Sequence, residues 1–321
     1  LVRRALEALA QTQRTGLKAL KLTAGVEGFI QTHHVGFRLG PRLNAAGRLD
    51  TAFTSLQLLL ADDPIMAAEY AALLENHNRD RQAVELAVYN EAEEMLLAMG
   101  SMEQHHAVVL GSRNWHPGVV GIVASRLSRL VNRPTILFSF DENGIGKGSG
   151  RSIPGFSLVE AIDICREHIL RGGGHAMAAG VSVSEANLEI FRTTFCEAAR
   201  KALTDENLTA VLELDAEIKL SDLGIDFLQN FRLMEPFGQR NSEPIFLCKR
   251  VTPRLPGRLM KEKHLRVMLS QDGASMEARW FNAPLQNLPK PPWDVAMRVQ
   301  RNSWRGEEQW QLTLDAVRSA E

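Results

Sequence analysis

The sequence has few cysteines, no excess of either charge and no long apolar run. Its 3 cysteines in 321 residues are scattered, without Cys-x-x-Cys spacing. This favours reduced, mostly buried thiols over a zinc site or a disulfide framework. No apolar stretch approaches the ~20 residues that a membrane span needs, so no membrane role is expected. The 37 Lys and Arg residues nearly balance 38 Asp and Glu, for a net charge of −1. Bulk charge therefore does not indicate a nucleic-acid partner.

The charges are nevertheless unevenly distributed near the end of the chain. Residues 205–226 are mostly acidic, whereas residues 249–266 are mostly basic. The basic residues of this second stretch are Arg250, Arg254, Arg258, Lys261, Lys263 and Arg266. Such a stretch is usually a solvated face, but Pro253, Pro256 and Gly257 interrupt it as a loop between strands would. It is a candidate surface for the phosphate backbone of a nucleic acid.

The first hundred residues have the pattern of helices. Leucines recur near helical spacing in residues 1–60. Asp63 offers an N-cap, Pro64 a first-turn residue and Gly100 a stop, which together predict one helix about 50 Å long. Its middle, residues 75–82, is polar all round. That pattern is typical of a helix that bridges two domains through solvent.

From about residue 105 the pattern alternates between strands and helices. We predict strands at 107–110 and 135–140, a glycine-rich turn and strand at 144–152, and helices at 119–130, 158–170 and 186–202. This alternation predicts an α/β domain. After residue 204, one short helix near 227–233 and five short strands predict a small barrel. The five strands are expected at 245–251, 264–269, 274–281, 294–300 and 309–316.

Three glycine-punctuated strings carry Arg or His. They are Gly40–Leu49, Gly148–Ser152 and Arg171–Gly180, the last with a triple glycine directly before His175. Glycines let a backbone turn with positive φ and bring its N–H groups close to a ligand. The small residues after His175 can continue as a helix, whose N-terminal amides attract anions. The alternative is a tight strand-to-helix turn capped by the histidine.

Together with Asn114–Ile122 and Glu235–Pro244, these strings resemble, in order and spacing, the RecJ single-strand-specific exonucleases of the DHH phosphoesterase superfamily. The resemblance implies the end of a DHH catalytic domain at 1–60 and a linker helix at 61–104. It further implies a DHHA1-like α/β domain at 105–203 and an OB-fold barrel at 204–321. The implied activity is metal-dependent 5′→3′ hydrolysis of single-stranded DNA in repair and recombination.

Within this resemblance, His175 is the candidate catalytic residue, because it can donate to a phosphate oxygen. Arg151 offers a bidentate guanidinium to a phosphate. The other phosphate-binding or DNA-binding candidates in these strings are Arg42, Asn44, Arg48, Ser149, Gly150, Ser152, Gly172, Gly173 and Gly174. Because Arg42 and Arg48 are six residues apart, they need not share a helix face, and one of them is free to brace the structure instead.

The family's metal ligands are not found in this sequence. Its only paired histidines, His33-His34 and His105-His106, lack a preceding Asp and a nearby carboxylate cluster. Since the chain also begins at Leu1, within a predicted helix, we expect a C-terminal fragment that is inactive alone. The resemblance implies Mg²⁺ or Mn²⁺ for the full-length enzyme, with ligands outside this chain.

The resemblance also implies single-stranded DNA, a single-strand-binding protein and a helicase as partners of a cytoplasmic monomer. Two other functions stay open: a small-nucleotide phosphodiesterase of the same superfamily and a non-catalytic scaffold for single-stranded DNA. The last domain offers aromatic candidates for base stacking, of which only one or two are expected outside the barrel core. They are Phe246, Trp280, Phe281, Trp293, Trp304 and Trp310.

Overall fold

The computed structural model describes residues 1–49, 51–304 and 307–321, without the side chains of residues 49, 301–304 and 307–309. The chain divides into two compact units. One contains Glu7–Ala210, and the other contains Val211–Glu321 together with Leu1–Leu6. Each unit has its own hydrophobic core.

The described part of residues 1–60 is mostly helical, as predicted. The α-helices are α1 (Val2–Ala10), α2 (Thr15–Thr23), α3 (Thr32–His34), α4 (Gly40–Leu49) and α5 (Phe53–Leu60). A π-helical turn, Val35–Leu39, joins α3 to α4. Helices α2, α4 and α5 pack against the next helix, α6 (Pro64–Ala98).

The long helix α6 begins and ends where its capping residues predict. The Asp63 carboxylate accepts hydrogen bonds from the amides of Ile65 and Met66, at 2.7 and 3.0 Å, which satisfies two of the unpaired N–H groups at the helix start. The prediction of a solvent-bridging middle is wrong. Asn78 and Arg81 are only 3% and 9% exposed, because α4 and α7 (Pro117–Val131) cover this side of the helix.

A five-stranded mixed sheet follows α6. Its strands are β1 (Val108–Ser112), β2 (Thr135–Phe140), β3 (Ile145–Arg151), β4 (Arg171–Gly174) and β5 (Ala178–Ser184). Their order in the sheet is β1-β2-β3-β5-β4, with β1 parallel to β2 and every other pair antiparallel. Helices α6 and α7 cover one face. Helices α8 (Leu158–Ile164) and α9 (Leu188–Ala202) cover the other.

Strand β3 turns its glycines toward the core under α8 and α9. A Cβ on Gly146 would stand 2.6 Å from the Phe140 ring, and one on Gly148 would stand 2.5 Å from the Phe138 ring. Gly150 is enclosed in the same way by Ile136 and Leu158, each 3.2 Å from its ideal Cβ. The aromatic rings therefore lie directly against the backbone of the strand.

One predicted helix is shorter in the structure than in the sequence pattern. The helix expected at 158–170 ends at Ile164, and the 3₁₀ turn Arg166–His168 follows it. Leu170 is already extended toward β5, since its amide donates to the Ser182 carbonyl at 2.8 Å. Pairing of the following strand therefore ends the helix early.

The second unit is built around a closed barrel, as predicted. The first unit ends just after the helix α10 (Asp205–Leu208), and the second unit contains the helix α11 (Ile225–Met234). The strands are β6 (Ala216–Glu217), β7 (Phe246–Met260), β8 (His264–Gln271), β9 (Ala274–Trp280), β10 (Trp293–Trp304) and β11 (Glu307–Ser319). Strands β7-β8-β9-β11-β10 close on themselves through the β10–β7 pairing. This five-stranded closure is an OB fold.

The packing of the β3 glycines against the aromatic rings can be tested by measuring stability. We expect Gly148→Ala to lower the free energy of unfolding of the first unit by about 1–3 kcal/mol, because its methyl group meets the Phe138 ring. Lys147→Ala removes an exposed side chain on the opposite face of β3 and should change this free energy by less than about 0.5 kcal/mol. Urea denaturation followed by helical circular dichroism measures both; equal effects would contradict the assignment of the two faces.

Candidate nucleic-acid interface

The triple glycine lies on a β-hairpin. Arg171–Gly174 is the edge strand β4, and the residues after His175 turn back into β5. The expected helix after His175 is therefore wrong, because Ala178–Ser184 pairs along its whole length with β3. The His175 amide donates to the Ala178 carbonyl at 2.9 Å and closes the turn. Its side chain is exposed.

The hairpin and β3 together place the candidate side chains in three parallel rows. Paired residues in a ladder project to the same face. The first row is Arg151 and Ala178, with His175 on the adjoining turn; the second is Ser149, Gly180 and Gly173; the third is Lys147, Ser182 and Arg171. We call these three rows the open face; α7 packs along its β3 side, where a Cβ on Gly121 would stand 2.7 Å from Ser149 Oγ, and the β5 and β4 side is exposed. Lys147, Arg151 and Arg171 stand at three of its corners, and the turn that carries His175 lies next to the fourth. Its middle row carries only one hydroxyl group, that of Ser149.

Two glycines of the open face are not required by the fold. A Cβ on Gly173 would meet nothing within 4 Å, and one on Gly180 would meet only the Gly148 carbonyl at 4.0 Å. Neither has a positive φ. By contrast, a Cβ on Gly172 would stand 2.7 Å from Ile162, and Gly174 has a φ of 151°. Gly150 and Gly172 thus face the core, while Gly173 and Gly180 leave the surface bare.

Arg151 is held at the edge of the open face. Its Nη1 donates to the Gly150 carbonyl at 2.7 Å and to Ser149 Oγ at 3.2 Å. Burial first, and then the positive charge of Arg48, lower the pKa of the Arg151 guanidinium from its ordinary value. In the described part of the chain it has no carboxylate partner. Two arginines with no carboxylate between them among the described residues form a site suited to an anion.

Arg48 reaches this site from α4. Its Nη1 donates to the Gly118 carbonyl at 3.1 Å, in the first turn of α7. His116 caps that helix by accepting the Gly118 amide on Nδ1 at 3.0 Å, so this histidine has a structural role. A Cβ on Gly118 would stand 2.2 Å from the Arg48 carbonyl. The string around Gly118 therefore allows α4 to approach α7 closely.

The other candidates of the α4 string separate by helix face. Asn44 is exposed, four residues before Arg48, and so lies on the same face. Arg42 points the other way: its Nε bonds Glu75 of α6 at 2.5 Å, and its Nη1 donates to the Arg38 carbonyl at 2.7 Å. Arg42 is the arginine that braces the structure. Ser152 is also committed, since its Oγ donates to the Phe156 carbonyl at 2.7 Å.

Sequence reasoning missed Lys147 and Arg171. Both are exposed, and both pair with Ser182 in the third row of the open face. The available signal was the period of two in Lys147, Ser149 and Arg151, which places all three on one face of a strand. Arg171 stands two residues before Gly173 and obeys the same period.

The barrel presents a second basic face on β7, β8 and β9. Arg258, Arg266 and Arg279 form one row across these strands. Arg266 is paired with Glu277, whereas Arg279 Nε is buried without a hydrogen-bond partner. Lys261 and Lys263 are exposed in the turn that joins β7 to β8, and Arg254 is exposed on β7. Arg279 is a further residue that sequence reasoning missed, because only strand register brings it to this row.

The remaining barrel candidates have other contacts. Arg250 donates to the Glu321 carbonyl at 2.7 Å and so holds the end of the chain. Among the aromatic candidates, Phe246, Trp280 and Trp293 are buried, and Trp310 packs against the core. The side chain of Trp304 lies outside the described residues. Phe281 is 46% exposed and contacts the His264 ring edge-on at 5.2 Å between centroids.

The described residues do not fit a metal centre. No group of three or more His, Cys, Asp or Glu side chains in the described ranges could hold a metal ion. His33 and His34 contact each other at 4.0 Å between ring centroids, and burial is the main cause that lowers the pKa of His34 to about 4. Over the same residues, no helix is long and apolar enough to cross a membrane.

Comparison with known families matches both units. Residues 104–201 match the DHHA1 domain, and residues 214–316 match the RecJ OB domain. The fold is thus that of a protein with a DHHA1 domain followed by an OB domain. The chain belongs to the RecJ family. The domain boundaries at residues 60, 104 and 203 stay predictions.

Curated relatives match nearly the whole chain. The single-stranded-DNA-specific exonuclease RecJ of Bacillus subtilis is 34% identical, over 96% of this chain and 40% of the relative. The Escherichia coli protein of the same name is 32% identical, over 95% of this chain and 54% of the relative. The chain therefore spans about half the length of the curated relatives it matches.

Solved structures agree with this relationship. RecJ from Thermus thermophilus in complex with Mg²⁺ matches with a TM-score of 0.85 and 29% identity, over 100% of this chain and 48% of that chain. A complex of the same protein with Mn²⁺ matches with the same TM-score, over 46% of that chain.

The two arginines of α4 provide matched variants. We expect Arg42→Ala to destabilise the first unit by about 1–3 kcal/mol, because it removes a charged hydrogen bond to a mostly buried carboxylate. Arg48→Ala should fold with nearly unchanged stability yet weaken binding of single-stranded DNA about tenfold. Thermal unfolding and fluorescence anisotropy measure the two effects. The reverse pattern, in which Arg48→Ala loses stability and Arg42→Ala loses DNA binding, would exclude Arg48 from the interface.

Proposed function

We propose that this chain supplies the DNA-binding half of a metal-dependent exonuclease that acts on single-stranded DNA with 5′→3′ polarity in repair and recombination. The observation that carries the proposal is the open face: Lys147, Arg151 and Arg171 at three corners, and the turn of His175 beside the fourth, around a row almost without side chains. The names of the relatives support the substrate and the reaction.

The spacing of the corners suits a strand of nucleic acid. Lys147 and Arg151 are four residues apart on one strand, about 13 Å at ~3.3 Å per residue. Strands β3 and β4 are separated by β5, so the corners across the sheet are about 10 Å apart. Cations at these distances contact successive phosphates rather than a single one. Such contacts bind the backbone without reading its sequence.

In this proposal Arg151 and Arg48 hold a phosphate, with Ser149 and Asn44 as further donors. Arg151 is pre-positioned by Gly150 and Ser149, so little of its side-chain freedom is lost on binding. His175 is exposed on the turn of the hairpin and donates to a phosphate oxygen as charge develops there. Ser152, Gly150, Gly172 and Gly174 act through the backbone geometry that they maintain.

The barrel contributes phosphate contacts and one stacking surface. Arg254, Arg258, Lys261, Lys263, Arg266 and Arg279 would contact the DNA backbone. Among the described side chains of the barrel, Phe281 is the aromatic with enough exposure to stack on a base. The barrel also disfavours the alternative of a small-nucleotide phosphodiesterase, because a mononucleotide would not need this second basic face.

Mg²⁺ or Mn²⁺ is proposed for the full-length protein because the solved relatives are complexes with these ions. The described residues offer no site for these ions. A single-strand-binding protein and a helicase stay predicted partners. The monomeric state and the cytoplasmic location of the protein also stay predictions. A non-catalytic scaffold for single-stranded DNA is the remaining alternative.

Activity can be tested by joining this chain to the part of Thermus thermophilus RecJ that it does not match. We expect the chimaera to degrade single-stranded DNA with Mg²⁺ or Mn²⁺ and this chain alone to be inactive. In the chimaera, His175→Ala should lower single-turnover cleavage at least about tenfold, ~1.4 kcal/mol in the barrier, with little change in DNA affinity.

Three results would contradict parts of this proposal. Metal-dependent cleavage by this chain alone would place the catalytic groups within it. A folded chimaera that binds but never cleaves DNA would favour the scaffold. Wild-type cleavage by a folded His175→Ala chimaera would leave the histidine a purely structural role.

The basic turn of the barrel can be tested by charge reversal. We expect Lys261→Glu with Lys263→Glu to weaken binding of single-stranded DNA and to flatten the log–log salt dependence by up to about 0.7 per lost phosphate contact. Reversal of Arg250, which bonds the Glu321 carbonyl, is the matched control and should leave the slope unchanged. Titrations at several salt concentrations measure the slope; an unchanged slope in the lysine variant would leave these lysines as solvated surface.

A further inference from the structure

The middle row of the open face has no side chain on two of its three strands. Gly180 on β5 and Gly173 on β4 are directly paired, and Ser149 pairs with Gly180 on the other side. Both glycines are exposed. We call this bare surface the glycine window. It lies between the first and third rows, about 7 Å from each along the strands.

The fold does not explain why these two positions lack side chains. A Cβ would meet nothing within 4 Å at Gly173 and one ordinary contact, at 4.0 Å, at Gly180. Neither position needs the positive φ that favours glycine. Glycine within a strand also weakens it. Close approach of a ligand to the backbone is a physical reason for glycine at such a position.

The floor of the window is unsuited to a phosphate. Strands β3 and β5 each pair on both sides, so their N–H and C=O groups lie in the plane of the sheet and are committed to neighbouring strands. A ligand above the window meets flat peptide groups and Cα hydrogens rather than donors. Such a floor suits the face of a planar aromatic group, which gains dispersion contacts from close approach.

From this arrangement, and resting on the function proposed above, we infer that the glycine window is a nucleobase site. One base of the bound strand lies flat on Gly173 and Gly180, while the cationic corners hold the phosphates on either side. A methyl group at either glycine would lift the base from the peptide planes without disturbing the fold. The open face would then bind DNA through base contacts as well as charge, with no hydrogen bond that reads sequence.

The test compares two short oligomers of equal length, oligothymidylate and an abasic deoxyribose-phosphate strand. It uses a Phe281→Ala background, so that the exposed barrel aromatic does not add stacking of its own. Gly173→Ala and Gly180→Ala should each weaken binding of oligothymidylate about tenfold, the scale of one stacked base. Affinity for the abasic strand and the unfolding midpoint should stay unchanged.

The control for the substitution itself is Gly36→Ala, since a Cβ on Gly36 also meets nothing within 4 Å. It should leave both affinities unchanged. Equal losses on the two oligomers in the window variants would show that the window contacts only the DNA backbone. No loss on either oligomer would show that nothing lies on it. Both results would overturn the nucleobase site.

Arg151→Ala separates this inference from the proposed function. If the corners hold phosphates, this variant weakens binding of the abasic strand as much as that of oligothymidylate. Unchanged affinity for both oligomers would count against the open face as a DNA surface altogether. A loss with Arg151→Ala but none with the glycine variants would overturn the window alone.

Discussion

The packing of aromatic rings against the glycines of β3 is the interaction on which the open face depends. Phe138 and Phe140 lie so close to Gly148 and Gly146 that a Cβ at either position would overlap a ring. Because side chains alternate along a strand, fixing the glycines toward this core fixes Lys147, Ser149 and Arg151 toward the other face. A one-residue slip of β3 would turn the cations toward the rings and the glycines toward the opposite face. The hydrophobic core thus sets the register of the charged surface.

Within the first unit, the long helix α6 contacts both α4 and α7, the two helices next to the phosphate-binding side chains. Glu75 pairs with Arg42 of α4, at 2.5 Å. Ten residues further along, Glu85 bonds Arg126 of α7 at 3.3 Å, and the Arg126 guanidinium lies 3.8 Å over the Tyr89 ring. Helix α4 carries Arg48, and α7 packs on the strand that carries Arg151. The polar middle of α6, which the sequence suggested was solvated, therefore serves as a polar interface between helices.

The sequence predicted most elements of this fold because their signals are local. Caps at Asp63 and Pro64 marked the start of α6, and apolar runs marked β2 and the barrel strands. It failed at the triple glycine, since glycine permits a turn, a strand or a helix start, and only pairing with β5 selects the hairpin. It also failed to group Arg279 with Arg258 and Arg266. That grouping depends on the register of three strands, which no single segment encodes.

The near-zero net charge of the chain does not conflict with two basic faces. Charges separated by more than the Debye length, about 8 Å at physiological salt, are largely screened from each other. A bound strand therefore responds to the groups immediately beneath it rather than to the sum over 321 residues. On the barrel, Glu277 already neutralises Arg266, and DNA must compete with that carboxylate. Arg151 has no such competitor in the described chain and is partly desolvated by its surroundings. A phosphate would therefore gain more from Arg151 than from Arg266, even though the sequence around Arg266 is much the more basic.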